Sequence, residues 1–392
     1  MIVYILFWTS LLIIVYSYLG YPLSIYTLSL FVKLFKSKTT TNQNNAYEPD
    51  VTLFVAAYNE LGIVDEKLKN SFSIVYPKEK LKYVWVTDGS DDGSPEALSN
   101  HKNVQVYHHN DRKGKIGAIN RGMKFIETPI VIFSDANSML NKESILHIVN
   151  EFKDPQVGCV AGEKRIILKD KDNAVNSGEG IYWKYESFIK KSESQISSAL
   201  GAVGELFAIR KELFDEIESD TILDDFIISL RIAQKGFNIK YVPEAYAIES
   251  ASISIHEELK RKTRIAYGGF QAITRLKSLL NPFKNPLLTF QYLSHKVLRW
   301  TLVPIAFILV FVSNLHIAFV ENWHGFYSGL FYLQIIFYLF VFLGSILQSK
   351  KTNLKILFAP YYLFIMNLAE IIGLLRFLRK SQSVNWEKAK RE

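Results

Sequence analysis

The chain has 392 residues, of which 49% are hydrophobic and only 21% charged, with a mean hydropathy of +0.08. Soluble proteins carry about 25% charged residues, so this balance argues against a purely soluble protein, and 14% aromatic residues argue against a disordered one. The single cysteine, Cys159, excludes an internal disulfide framework and a multi-cysteine zinc site, while the net charge of +8 points to nucleic acid or to an anionic membrane surface.

Residues Ile2–Val32 contain no charged side chain. As a helix this stretch measures roughly 46 Å, against about 30 Å of bilayer hydrocarbon. It has neither the basic start nor the small-residue end of a signal peptide. Residues 1–32 are therefore predicted to form a membrane anchor. Gly20 and Pro22 are expected to end or kink the span and leave Leu23–Phe35 along the interface. A linker over residues 33–49 follows and includes the polar run Thr39–Asn45.

Residues 50–275 read as the globular part. Strand-like runs at Val51–Ala57, Tyr83–Thr87, Val104–Tyr107 and Ile130–Ser134 alternate with helical patterns such as Leu61–Asn70 and Lys115–Glu127. This alternation predicts parallel strands joined by right-handed crossovers. In such sheets ligands bind outside the carboxyl ends of the strands. Three polar clusters fall there: Asn59 with Glu60, Asp88, and Asp135 with Asn137. The phosphate-loop pattern G-x-x-x-x-G-K-[ST] and the dinucleotide pattern G-x-G-x-x-G are both absent, which disfavours a triphosphatase or a dinucleotide reader.

The clusters suggest chemistry. Asp135-Ala136-Asn137 offers two oxygen side chains at i and i+2, able to grip Mg²⁺ or Mn²⁺ and, through it, a diphosphate; a turn or helix cap is the plain alternative. Asp88–Gly93 (DGSDDG) lacks the twelfth-position Glu of a calcium loop and reads as a turn or as a nucleobase or ribose site. Lys115 lies in a glycine-containing turn, Asp111–Asn120, that opens a helix and suits a phosphate. Asp224 and Asp225 begin the helical run Phe226–Lys235. The positive helix end stabilises acids there, and a carboxylate so placed in a cleft suits general-base work. His108-His109 has no partners at metal-ligand spacing, and His256-Glu257-Glu258 reads as the first turn of a helix.

Residues 276–299 mix Lys284, His295, Lys296 and Arg299 with Phe and Leu, as an interfacial helix does. Residues 300–378 hold two or three spans. Trp300–Val320 and Gly325–Gln348 are free of charge, whereas Ile356–Leu375 contains one acid, Glu370. Lys33, Lys36 and Lys38 follow the first span, Lys350, Lys351 and Lys355 separate the last two stretches, and the loop Glu321–His324 has no Lys or Arg. The positive-inside rule puts residues 33–299 in the cytoplasm of a multi-pass plasma- or inner-membrane protein. The basic tail, residues 379–392, should also be inside, which three crossings do not allow. Either Ile356–Leu375 is re-entrant or the tail is an exception. The positive charge thus belongs to membrane flanks, and with no helix-turn-helix, zinc-finger or RNP pattern, nucleic acid is not expected as a partner.

Taken in order, these clusters resemble the inverting family 2 glycosyltransferases of GT-A fold, in the membrane-embedded group that includes poly-N-acetylglucosamine, cellulose and hyaluronan synthases. The likeness covers about residues 50–300. Ala57-Tyr58-Asn59-Glu60 and Asp88-Gly89-Ser90 match the group's nucleotide-contacting turns, Gly114-Lys115 with Ala118-Ile119-Asn120 its lysine turn, and Asp135-Ala136-Asn137 its metal D-x-D. Gly204-Glu205-Leu206 falls on the acceptor-side strand. Leu223-Asp224-Asp225 falls on the base motif, which Ser229-Leu230-Arg231 and Lys235-Gly236-Phe237 continue. The resemblance implies an α/β GT-A domain, Rossmann-like with a mainly parallel sheet, facing the cytoplasm and flanked by transmembrane helices. It implies nucleotide-sugar contacts from Ala57, Tyr58, Asn59, Glu60, Asp88, Gly89, Lys115, Asp135, Arg261 and Arg264. Asp135 and Asn137 would hold Mg²⁺ or Mn²⁺, Asp225 would be the catalytic base, and Gly204, Glu205 and Asp224 would meet the acceptor. The donor would be a UDP-hexose or UDP-N-acetylhexosamine, and the acceptor a lipid-linked or polysaccharide molecule at the bilayer.

Two positions depart from the group. Asn137 replaces the second Asp of D-x-D, and the Q-x-x-R-W of processive synthases becomes Arg261 through Arg264 to Ile265, without the Trp that would stack on a sugar. Single transfer and processive synthesis are therefore equally open. Metal-dependent nucleotidyl transfer is a rival, though Tyr58–Ile63 supplies only Gly62 for its early loop; a degenerate membrane scaffold is another.

Overall fold

The computed structural model describes residues 1–35, 47–167, 174–250, 254–347 and 355–383. The polar run Thr39–Asn45, the flanking lysines Lys36, Lys38, Lys350 and Lys351, and the tail beyond residue 383 lie outside the described residues.

The chain opens with α1 (Ile2–Val15), a π-helical turn at Tyr16–Gly20, and α2 (Tyr21–Phe35). Of the two outcomes expected at Gly20–Pro22, an end or a kink, the helix does not end: a π-helical turn at Tyr16–Gly20 distorts it locally. Pro22 has no N–H, so carbonyls about one turn earlier lose their donor, and the helix widens there instead of stopping. Other segments supply the missing donors: Tyr185 Oη–H donates to the Tyr18 carbonyl at 2.8 Å, and Arg299 donates to the Ser17 carbonyl at 3.3 Å. Leu23–Phe35 accordingly continues the same helix.

The globular part runs β1 (Val51–Ala57), α3 (Leu61–Phe72), β2 (Leu81–Asp88), α4 (Ser94–Ser99), β3 (Val104–His109), α5 (Gly114–Gly122), β4 (Ile130–Phe133), β5 (Met139–Leu140), α6 (Ser144–Glu151), β6 (Val157–Ile167), α7 (Ala174–Ile196), β7 (Phe207–Arg210), α8 (Asp224–Gln234), β8 (Asn238–Ser250) and α9 (Ile255–Arg275). Among the described residues the strands form one eight-stranded sheet of order β3-β2-β1-β4-β7-β6-β8-β5. The four strands expected from sequence are parallel to one another. The sheet as a whole is mixed, because β7 runs antiparallel between β4 and β6 and β5 is antiparallel to β8.

Burial on both faces explains the apolar runs. Phe54, Val86, Phe133 and Phe207 point to the face covered by α5, α8 and α9, while Leu53 and Ile132 meet Ile145 and Ile148 of α6 on the other. Strand order reverses at β1, with β2 on one side and β4 on the other, so a crevice opens outside the carboxyl ends of β1 and β4.

After α9 come α10 (Pro286–Gln291), a second π-helical turn at Tyr292–Val297, α11 (Leu298–Trp300), α12 (Leu302–Val320), α13 (Phe326–Leu347) and α14 (Lys355–Leu378). The expected interfacial region is anchored in the globular core, since Leu288, Tyr292 and Trp300 join the same apolar cluster as Phe226 and Phe270. Four helices among the described residues are long and apolar enough to cross a membrane: Ile2–Phe35, Leu302–Val320, Phe326–Leu347 and Phe358–Leu378.

The last of these does not stand clear of the domain. Tyr361 and Ile365 pack with Ile255 near the start of α9, and the Phe377 ring lies 5.6 Å from Tyr267 and 6.0 Å from Phe270 further along it. Contact is so close that a Cβ on Gly373 would sit 2.4 Å from that of Ala266.

A buried ionic joint ties the first helix to the domain. Glu193 accepts from Tyr21 Oη–H at 2.6 Å and faces His295 Nδ1 at 2.7 Å. Glu186 receives Lys296 at 2.9 Å and Arg299 at 2.8 Å. Burial alone would raise Glu186, but Lys296, His295 and Arg299 outweigh it and hold the carboxyl well below its usual range.

Candidate active site

The crevice begins as a narrow hollow lined by Ala57, Tyr58, Asp88, Arg112, Lys115 and Asp135, from the ends of β1, β2 and β4 and the turn before α5. The Arg112 guanidinium lies 3.7 Å over the Tyr58 ring, making a flat, cationic platform. Asp88 is only 3% exposed. Its Oδ2 accepts the Lys113 backbone N–H at 2.8 Å and its Oδ1 lies 3.3 Å from Arg121, so it fastens the lysine turn to the end of β2. Asn59, in a left-handed conformation that asparagine tolerates, clasps Asp91 through two hydrogen bonds of 2.8 and 3.0 Å. Asn59, the buried Glu60 and Gly89 shape the turns and do not line the hollow.

Lys115 and Asp135 also belong to a larger adjoining cavity of about 260 Å³. Here residues far apart in sequence converge. Lys115 Nζ lies 2.9 Å from Asp135 Oδ1 and 3.1 Å from Asp224 Oδ2. Three side chains crowd Gly204: a Cβ at that position would come within 3.3 Å of Lys115 Nζ, 3.7 Å of Asp225 Oδ2 and 3.8 Å of Asp135 Oδ2. Only glycine leaves this space to a ligand.

Burial opposes the charge of Lys115, yet Asp135, Asp224 and Asp225 outweigh it and hold the ammonium above its ordinary value. Burial, and next the charge of Asp224, push Asp225 up to about 7, against the opposing pull of Lys115 and the Phe226 N–H. A carboxylate that titrates near neutrality is suited to accept a proton at physiological pH.

The expected acceptor-side and metal residues form a linked chain. Glu205 lines the cavity and receives Lys164 at 2.5 Å; the same buried ammonium binds Glu249, whose Oε1 accepts from Asn137 Nδ2 at 3.1 Å. Asn137 lines neither hollow. Asp224, expected toward the acceptor, lines the same cavity as Gly204 and Glu205 and pairs with Lys115.

On the membrane side, Arg261 and Arg264 both reach the cavity from α9 but differ in partners. Arg261 is taken by Glu258 at 3.0 Å and Glu179 at 2.7 Å. Arg264 Nε is buried with no hydrogen-bond partner among the described residues, an unmet donor in the same cavity as Asp224 and Asp135, whose charges favour the guanidinium. Although Ile265 brings no aromatic face, Trp183 of α7 and Trp300 of α11 stand in the same wall.

Some residues here carried no motif. Lys67, fully buried in α3, donates to Ser134 Oγ at 2.7 Å and to the Ser138 carbonyl, bracing the loop that carries Asp135, and burial brings it down to about 7. Nothing in its helical pattern set it apart from a surface lysine. Lys190 and Trp300 were equally silent, whereas Arg112 lies in the turn Asp111–Asn120 already singled out and Glu370, the one acid in an apolar stretch, was a usable signal.

Residues 49–268 match the model of the family described as Glycosyltransferase like family 2. Among curated proteins, a poly-beta-1,6-N-acetyl-D-glucosamine synthase of Staphylococcus epidermidis is 24% identical over 261 residues, 64% of this chain and 62% of that protein. One of Staphylococcus aureus is 25% identical over 234 residues, 57% and 56%. The chain thus spans about three-fifths of the length of these relatives. Among solved structures, a mannosyltransferase from Pyrobaculum calidifontis in complex with GDP-Man and Mn²⁺ has the same fold, with a TM-score of 0.71 and 21% identity over 96% of this chain and 100% of that one.

Proposed function

The chain belongs to the glycosyltransferases of family 2-like type, and from that premise we propose that it transfers a sugar, with inversion, from a nucleoside-diphosphate sugar to a lipid-linked or glycan acceptor at a membrane surface. The observation that carries this reading is the convergence of Lys115, Asp135 and Asp225 around Gly204, with Asp224 paired to the same lysine. A scaffold would gain nothing from gathering three carboxylates in one cavity, and family membership favours glycosyl over nucleotidyl transfer.

In this mechanism the base stacks at the Tyr58–Arg112 platform beside Asp88, and the diphosphate meets Lys115 and the unmet Arg264 donor. Among the described residues there is no group of three or more His, Cys, Asp or Glu able to hold a metal alone. A hard divalent ion bound together with phosphates needs only one or two protein oxygens, and Asp135, which lines both hollows, fits that requirement, whereas Asn137 is turned to Glu249. Mg²⁺ or Mn²⁺ held there would neutralise charge growing on the leaving diphosphate. The acceptor oxygen attacks the anomeric carbon from the face opposite the diphosphate, the bond to the diphosphate breaks, and the proton passes to Asp225. Trp183 and Trp300 offer apolar faces for the transferred or receiving sugar. UDP-hexose or UDP-N-acetylhexosamine is the proposed donor class.

The lysine-rich flanks support a cytoplasmic position for the domain. The course of α14 along α9 supports the re-entrant reading of Ile356–Leu375, which keeps the basic tail on the same side as the site.

The test uses the full chain in lipid nanodiscs with a panel of nucleotide sugars and Mn²⁺. One donor class is expected to bind by calorimetry, and Asp225→Asn is expected to retain that binding while nucleotide release slows about 10²-fold or more. Absence of binding across the panel would overturn the reading.

A further inference from the structure

A second hollow, of about 350 Å³, opens beside the reaction cavity between the first helix, α7, α11 and α14. The two spaces are neighbours, with Tyr182, Glu186, Lys296, Trp300, Met366 and Glu370 bordering both. Tyrosines, an asparagine and charged groups stand in its wall, yet they are turned on one another. Tyr185 Oη–H donates to the Tyr18 carbonyl at 2.8 Å while its oxygen accepts from Arg299 at 2.5 Å. Asn367 Nδ2 donates to the Leu363 carbonyl at 2.8 Å and to Tyr18 Oη at 3.2 Å. Tyr362 Oη–H donates to Glu258 at 2.9 Å, and Glu186 is taken by Lys296 and Arg299. The rest of the wall is apolar, with Ile181, Ala359, Leu363 and Met366.

This composition selects the occupant. A sugar chain would bring several hydroxyls per ring into a space where, apart from Glu370 and the Tyr182 hydroxyl on the side shared with the reaction cavity, the polar groups named here are already paired, and each unpaired one is costly. A hydrocarbon chain needs no partner and gains by leaving water.

The junction with the reaction cavity has the opposite character. Lys190, 5% exposed, lines that cavity and makes no hydrogen bond or ion pair among the described residues. A buried ammonium left unpaired is stabilised by an anion. Glu370 Oε2 is likewise buried without a hydrogen-bond partner and is positioned to accept from a hydroxyl.

We propose that the acceptor is a membrane lipid: its alkyl chain fills the hollow, its anionic group sits against Lys190, and a head-group hydroxyl reaches Asp225. This rests on the reading of Asp225 as the base, which requires an acceptor with a proton to give. The hydroxyl oxygen forms the new bond to the anomeric carbon, the bond to the nucleoside diphosphate breaks, and the hydroxyl proton moves to Asp225.

The experiment uses the full chain in nanodiscs with two photoreactive probes, a diazirine-bearing dodecyl phosphate and the matching dodecanol, and maps cross-links by mass spectrometry. Labels are expected on residues 359–366 and 181–185. Leu363→Trp, which fills the hollow, is expected to reduce labelling by both probes about tenfold. Lys190→Met is expected to reduce phosphate-probe labelling about tenfold and dodecanol labelling less than twofold. Nucleotide affinity should stay within twofold in both variants. Labelling confined to outward faces of α1, α12 and α13, labelling indifferent to Leu363→Trp, or displacement of the probes by a tail-free oligosaccharide would each overturn the proposal. Loss of nucleotide-sugar binding in the unmodified chain would overturn the donor reading and leave the labelling result standing, so the two failures are distinguishable.

Discussion

Asp225 makes a quantitative demand on the pH dependence of the reaction. Its carboxyl is pushed from an ordinary 3.8 up to about 7, first by burial and then by Asp224. With a value near 7, about half of the carboxylates are ionised at pH 7 and about a tenth at pH 6. Nucleotide release with water as acceptor, at saturating donor, should therefore rise about tenfold per pH unit below 7 and level off above it. Asp225→Asn should lower the plateau by about 10²–10⁴-fold, or roughly 2.7–5.4 kcal/mol of barrier, and flatten the profile. Asp224→Asn, which removes the second-largest cause of the shift, should move the rising limb to lower pH. The same shift has a consequence for stability. A carboxyl raised in the folded state contributes its full stability below the unfolded value near 3.8 and loses it as pH climbs through about 7. Asp225→Asn should then melt above the parent protein at pH 8, with a smaller gain at pH 5.5. An acid limb that survives Asp225→Asn unchanged, or one that Asp224→Asn moves upward, would refute the assignment.

Other perturbations bear on the remaining parts. Asp135→Ala should abolish the Mn²⁺-dependent part of nucleotide binding, read by calorimetry with and without the ion; equal affinities in both conditions would remove it as ligand. Gly204→Ala places a methyl 3.3 Å from Lys115 Nζ and 3.7 Å from Asp225 Oδ2. Release should fall at least about tenfold with little change in melting temperature, since the added atom intrudes on the site and not on the core. Lys164→Met leaves Glu205 and Glu249 without their shared cation, a loss of about 3–5 kcal/mol that thermal unfolding should register as a clear drop. A melting curve that overlays the parent would show that the acids find other partners.

The four parallel strands were legible because their runs are apolar on both faces and end in polar turns, a purely local pattern. The antiparallel course of β7 was not, because the direction of Phe207–Arg210 is set by pairing with β4 and β6, both remote in the chain. Pro22 read as a stop because sequence gives no view of Tyr185 and Arg299, which supply donors across more than 160 positions. The departure at Ile265 read as the loss of an aromatic wall, but Trp183 and Trp300 reach the same wall from other helices.

By itself, then, the sequence determined the apolar ends, the alternating α/β middle, and the acidic and basic turns at the strand ends. Each of these follows from side-chain periodicity and backbone preference over a few residues. Only the tertiary structure decided which charges neutralise one another and which remain for a ligand. Arg261 and Arg264 are three residues apart on one helix, yet Glu179 and Glu258 consume the first while the second keeps an unmet donor. Asn137 is held by Glu249 from a distant strand, and Lys190 makes no direct ion pair among the described residues. Pairing energies inside a protein depend on distance and burial, and both are fixed by packing between segments remote in the chain.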